Sequence, residues 1–376
     1  MAHAYTPGLK VLHETKVQKE RQLPMKGDVL TDVNTLVQPA DVVASTHIPG
    51  NVRMVNVANL LNIESGDVPG YMAVDIDSEV KEGALLAETG GLFGFFKSSV
   101  NSPVAGVVES VSAVTGQVVI REAPIPVEVD AYIRGIVKDV LPQEGVTIET
   151  DAAFVQGIFG IGGEKRGDLE LIEGERESIV DTDNITADHA GKVLIGGAYL
   201  TLEGYRKAQQ LGVAAVIVGG FNYSDLKTIL GYTLGVAITG SESLKTTLIV
   251  TEGFGLVPMA RRTHELLVSY IGKNVSVNGA TQIRAGVMRP EIIIPLEQSE
   301  LTGEHGEIDT STGIDEGSLV RVIREPFFGQ LGKVVALPSP LDSMESETEV
   351  RVAKVELPDG NVYTVPRANL ELMETD

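Results

Sequence analysis

The chain contains no cysteine. That absence excludes a disulfide framework, a thiolate metal site and a cysteine nucleophile. Basic residues are also scarce, 30 lysines and arginines against 52 acids, for a formal charge of −22. Charge of that sign repels a phosphate backbone within a Debye length, so direct nucleic-acid binding is disfavoured. No apolar run approaches the roughly 18 residues of a membrane helix, and the opening MAHAYTPGLKV lacks the basic and apolar regions of a secretion signal. The expectation is a cytoplasmic chain without a membrane span. The six histidines, at 3, 13, 47, 189, 264 and 305, form no closely spaced pair suited to a metal. His264, beside Arg261 and Arg262, is expected on a helix surface. No Gly-x-Ser-x-Gly elbow is found, and no cofactor is expected.

What is present points to a folded chain, with 43% hydrophobic and 22% charged residues. At about 100 to 200 residues per domain, 376 residues make two to four units. Residues 1–26 are polar, carry Lys10, Lys16, Lys19 and Arg21, and are assigned as an N-terminal arm, with an edge strand as the alternative. Residues 27–178 are rich in Val, Ile, Gly and Pro, with short alternating runs such as GVVESVS and GVTIE broken by turn residues. Short strands at this spacing predict a β-rich barrel or sandwich.

The pattern changes over 179–296. KVLIGG and VAAVIVGG are apolar runs closed by paired glycines, separated by TLEGYRKAQQLG with helical spacing of Leu202, Tyr205, Ala208 and Leu211. Apolar runs alternating with amphipathic helices predict a small α/β domain whose parallel sheet is covered on both faces. Its strand-end loops, GGAYLT, GGFNYSD and TEGFG, gather at the carboxyl edge where ligands bind such sheets. Weak ligand-binding candidates there are Gly196, Gly197, Gly219, Gly220, Glu252 and Gly253, and strand-to-helix turn chemistry is the simpler explanation of the glycines. GIFGIGGEK lacks the last glycine of a dinucleotide fingerprint and the Gly-Lys-Ser/Thr of a P-loop, and is assigned to a turn of the β-rich domain. Residues 297–314 are acidic and aperiodic, a linker. Residues 315–376 return to short strands, with Asp359-Gly360 as a hairpin turn.

Two segments resemble known families. MAVDIDSEVKEGALLAE (72–88), followed by Ser102, Pro103, Gly106 and Val107, resembles the biotinyl/lipoyl barrel-sandwich hybrid through Val80, Lys81, Gly83, Leu86, Ala87 and Glu88. In that family a lysine at a hairpin tip carries the prosthetic group. Counting back seven residues from Ser102, by the family's spacing, reaches Phe95, and Lys97 is displaced. The resemblance therefore implies the scaffold without its acceptor lysine. The tip Phe93, Phe95 and Phe96 instead forms an apolar contact candidate.

The second segment, DEGSLVRVIREPFFGQLGKVVAL (315–337), resembles the KOW motif of the NusG/Spt5 family through Gly317, Val320, Arg321, Val322, Pro326, Phe327, Gly332 and Val334. It implies an SH3-like KOW β-barrel, with Phe327 and Phe328 as contact candidates. Six basic residues against twelve acidic ones over 315–376 favour protein partners over RNA. Arg321, Arg324 and Lys333 as one basic face is the alternative.

The expected protein is thus multi-domain: a barrel-sandwich hybrid, a small α/β parallel-sheet domain and a terminal KOW barrel. Its expected role is a non-catalytic adaptor docking on protein partners, with polymerase or ribosomal proteins the first to test. The alternatives are a small-molecule-binding protein or enzyme using the α/β crevice, and a self-assembling structural protein, a homo-oligomer.

Overall fold

A computed structural model describes residues 9–90, 97–231, 239–240, 242–282, 288–303, 314–323, 326–327, 329–338, 342–343 and 349–372. The chain is strand-rich and divides among several sheets. Among the described residues no helix is long and apolar enough to cross a membrane.

Four parallel strands form the α/β unit, in the spatial order Glu164–Leu171, Val193–Ile195, Ala215–Phe221, Thr247–Phe254. Every residue of Ala215–Phe221 is buried, as a strand covered on both faces requires. The Leu202–Leu211 and Tyr223–Leu230 helices place Tyr205, Ala208 and Leu226 against Leu194, Val216, Leu248 and Val250 on one face. The Arg261–Ser269 helix places Leu266 and Leu267 against Val193, Ile195, Ile217 and Ile249 on the other. Local signals set the helix ends: Thr201 Oγ1 accepts the Gly204 amide, and Gly212 closes the same helix at φ +74°.

This sheet begins earlier in the chain than expected. Phe159–Ile161 lies antiparallel on the outer edge of Thr247–Phe254, and Glu164–Leu171 pairs in parallel with Val193–Ile195. Both belong to the α/β sheet, so pairing crosses the expected 178/179 division and GIFGIGGEK is not a turn of the β-rich domain. The physical reason is that an apolar β-branched run has the same composition in either sheet. Only its hydrogen-bond partner assigns it.

The long Gly145–Gln156 strand joins this sheet to the next unit. On one side it pairs with Glu291–Pro295 over its second half and Gly135–Leu141 over its first. On the other it pairs with Val11–Gln22 over most of its length. Residues 11–22 of the expected arm are therefore an edge strand, with Leu12, Glu14 and Val17 facing inward. Beside them exposed Lys16 pairs across the ladder with Asp151 at 3.1 Å, and half-buried Lys19 reaches Glu291 of the Glu291–Pro295 strand at 2.6 Å.

The region expected as one β domain holds two cores. Val42–Ile48 pairs antiparallel with Ile125–Asp130, and the same two chain segments continue as Val52–Asn56 paired with Gln117–Arg121. Between them the described residues of 57–116 fold around Val55, Leu61, Val80, Leu86, Val100, Val108 and Ile120. The four-stranded sheet of this inserted module runs Val52–Asn56, Gln117–Arg121, Gly106–Val111, Glu79–Val80, beside a Leu85–Glu88/Ser99–Asn101 pair. The second core, with Val37, Val43, Tyr132, Val137, Val146 and Ile148, belongs to the N-terminal β unit.

The C-terminal residues form a five-stranded antiparallel sheet in the order Val362–Pro366, Val352–Glu356, Leu331–Ala336, Leu319–Val322, Leu370–Leu372, with Asp342–Ser343 and Glu349–Val350 as a separate pair. Among the described strands the two ends of this order are not paired to each other. Asp359-Gly360 makes the expected hairpin turn, with Gly360 at φ +79° and Tyr363 Oη donating to Asp359 Oδ2 at 2.7 Å.

Candidate functional site

The carboxyl edge of the parallel sheet brings together the six residues singled out for ligand binding. Gly219 donates its amide to the Gly197 carbonyl at 3.0 Å, and Gly220 sits beside Gly253 on the neighbouring strand. Glycine allows close approach here, and the approaching group is the chain itself. A β-carbon on Gly197 would lie 2.2 Å from the Ser178 carbonyl oxygen, on Gly219 2.0 Å from that of Val257, and on Gly220 2.0 Å from that of Gly255. On Gly196 it would lie 2.7 Å from Val218 Cγ1. Gly253 is met from the C-terminal module, where the Gly329 carbonyl oxygen would stand 2.5 Å from such a carbon.

Glu252, the one carboxylate with catalytic promise in these loops, is buried, and its Oε1 accepts the Ala260 amide at 3.0 Å. Ala260 precedes the Arg261–Ser269 helix, and its methyl group offers no acceptor to cap it. Glu252 supplies the anionic acceptor that a helix N-terminus favours. Its geometry is that of a cap.

The strand ends beside Glu252 are held by Arg321. Its Nη1 donates to the Thr251 carbonyl at 2.9 Å and the Glu252 carbonyl at 2.6 Å. Arg321 stands directly opposite Glu371 in the pairing of Leu319–Val322 with Leu370–Leu372. Its Nε lies 3.0 Å from Glu371 Oε2, off the axis of a directed hydrogen bond, so the contact is ionic. Arg289 approaches the other carboxylate oxygen at 3.8 Å. Arg321 is 3% exposed and Glu371 fully buried. The alternative of a basic face that includes Arg321 is corrected accordingly. In Val-Arg-Val alternation the arginine points away from its own module's core, and that outer face is covered by the α/β unit. Lys333 is exposed, and Arg324 lies outside the described residues.

Apolar contacts complete the junction. Phe254 packs on Phe159 with ring centroids 5.6 Å apart and on Tyr223 at 5.1 Å. Gly329 backs the Phe254 ring, where a β-carbon would come within 2.6 Å. Ile323 is buried in the α/β core. Sequence reasoning missed Glu371, Arg289 and Phe254 here. The available signal was a single charge flanked by apolar residues in two short strands, V-R-V and L-E-L, with opposite signs.

Of the contact candidates, Phe327 is half-buried and packs on Tyr363 with centroids 4.3 Å apart. Phe93, Phe95, Phe96 and Phe328 lie outside the described residues. Lys97 is exposed and lies 3.7 Å from Glu88. Ser102 is buried and donates to the Val104 carbonyl at 2.5 Å, a turn-forming role.

His264 is partly buried, and burial first, then the Arg176 guanidinium, hold its pKa below the ordinary value. His189 Nδ1 accepts the Thr186 amide and closes a short helical turn. Among the described residues no group of three or more His, Asp or Glu side chains is placed to hold a metal.

Comparison of the chain with family models, with curated proteins and with solved structures finds no match.

Proposed function

We propose that the chain is a non-catalytic adaptor that docks on protein partners within a larger assembly. One observation carries this reading. At the sheet edge where an α/β enzyme keeps an open crevice, four glycine approaches are taken by the chain's own backbone and the strand ends by Arg321. A small-molecule site at that edge would have to displace a buried part of the fold.

The finer fold belongs to the same proposal. The inserted module at 51–121 is the barrel-sandwich hybrid of biotinyl/lipoyl type, used as a scaffold. The residues 315–376 are read as the KOW-like barrel. Both families place such modules in multi-protein machines, and transcription and translation complexes are the first partners to test. The apolar tip Phe93, Phe95 and Phe96 is the proposed contact of the inserted module.

Affinity purification of the full chain from its own cytosol, beside a variant with Phe93, Phe95 and Phe96 all changed to Ser, tests the reading. Polymerase or ribosomal proteins held by the wild type and released by the variant support it. Recovery of the bait alone sinks it. Thermal stabilisation by nucleotides or phosphorylated metabolites, abolished by Glu252→Gln, would favour the ligand-binding alternative.

A further inference from the structure

The Val52–Asn56 strand is the outermost of its sheet and pairs on one side only, with Gln117–Arg121. Four of its five residues are exposed, among them Val52 at 46% and Met54 at 64%. Among the described residues no strand lies along its other edge, which therefore presents a row of unpaired backbone donors and acceptors.

Folded proteins guard such edges with proline, with lysine or with inward charge. The neighbouring Ile125–Asp130 edge carries Pro126, and Val11–Gln22 carries Lys16 and Lys19. Val-Arg-Met-Val-Asn carries neither proline nor lysine, and its one charge is the exposed Arg53. Over residues 51–63 the only charge is Arg53, in a chain with 22% charged residues. Exposed Met and Arg with Lys, Asp and Glu depleted is the composition of an interface core.

A second copy of the chain suits this edge. An edge strand turned about a two-fold axis matches its own row of donors to its own row of acceptors, so no other sequence is needed. Each chain carries a charge of −22, and contact at an acid-free strand is where two copies meet with least repulsion. Side chains alternate in direction, so the register must pair even with even positions. We propose that two copies pair antiparallel along Val52–Asn56, with Met54 opposite Met54 of the second copy. Val52 then faces Asn56, and the exposed apolar side chains of both strands form one row. This inference rests on the free edge and stands apart from the adaptor reading.

The cysteine-free sequence gives a direct test, because Met54→Cys introduces a lone thiol. Directly opposed residues of an antiparallel pair sit about 4.5–5.5 Å apart at Cα, within the range a disulfide spans. Mild oxidation is expected to convert Met54→Cys protein to a covalent dimer, while Val114→Cys, on an exposed turn of the same module, stays monomeric. Sedimentation velocity of the wild type is expected to show a concentration-dependent dimer. Met54→Lys and Val52→Lys should each weaken it at least about tenfold, roughly 1.4 kcal/mol, with unchanged circular dichroism and, at dilutions where the wild type is monomeric, unchanged melting. A wild-type chain that stays monomeric to about 100 µM overturns the proposal. So does a dimer that both lysine variants leave intact, or equal cross-linking at positions 54 and 114.

Discussion

Gly219 and Gly66 have the same side chain and opposite tolerance for a larger one. A β-carbon at Gly219 meets backbone atoms of Val257 and Met259 at 2.0 and 2.6 Å, whereas at Gly66 nothing lies within 4 Å. Overpacking against backbone cannot be relieved by a rotamer change. Gly219→Ala is expected to lose about 1–3 kcal/mol, read by chemical denaturation, while Gly66→Ala stays close to wild type. His264 carries a pH dependence of known sign. Its folded pKa is lowered from about 6.5 by burial and Arg176, so the unfolded chain binds the proton more readily. Its contribution is present above the unfolded value and is lost as pH falls through the folded one. Melting temperature should therefore fall between about pH 7 and pH 5, and His264→Gln should reduce that slope. Both residues were named in the sequence, Gly219 as a turn or ligand glycine and His264 as a surface residue. Their surroundings were not legible, because the groups that crowd or desolvate them come from other segments of the chain.

The Leu319–Val322 and Leu370–Leu372 strands show the same limit between elements. Their alternation was readable, and so was a terminal β module. That Arg321 faces Glu371 is a matter of strand register, and that both are buried is a matter of what covers the sheet. A buried pair adds little net stability but is costly to break, and here loss of Arg321 leaves Glu371 only the more distant Arg289, at 3.8 Å. Arg321→Met is expected to cost about 3–5 kcal/mol, partly through Glu371 and partly through the Thr251 and Glu252 carbonyls. Adding Glu371→Leu should recover the part that runs through Glu371, and not the part that runs through the two carbonyls. Denaturant titration of the two single variants and the double variant measures this coupling. Purely additive losses would show that the two side chains act independently.

Across the whole molecule, the C-terminal module and the α/β unit share a buried junction, with Ile323 inside the α/β core and Gly329 against Phe254. A chain ending at residue 303 would expose Phe254 and leave the strand-end carbonyls without Arg321. It is expected to melt below the full protein, and adding residues 315–376 as a separate chain should restore part of the difference. Independent melting of the two parts, at unchanged temperatures, would contradict a shared junction. The inserted module carries a chemical prediction as well: intact-mass measurement should find Lys97 without a biotin- or lipoate-sized addition. The amino-acid sequence by itself determined the strand-rich character, the alternation of apolar runs and amphipathic helices, and the turn at Asp359-Gly360, because these depend on periodicity and local backbone preference. Tertiary structure alone decided that Val11–Gln22 is an edge strand, that Phe159–Ile161 and Glu164–Leu171 join the parallel sheet, and that the glycine loops close on their own chain. Strand partners and the groups that fill a crevice are set by residues far apart in sequence, and no local pattern encodes them.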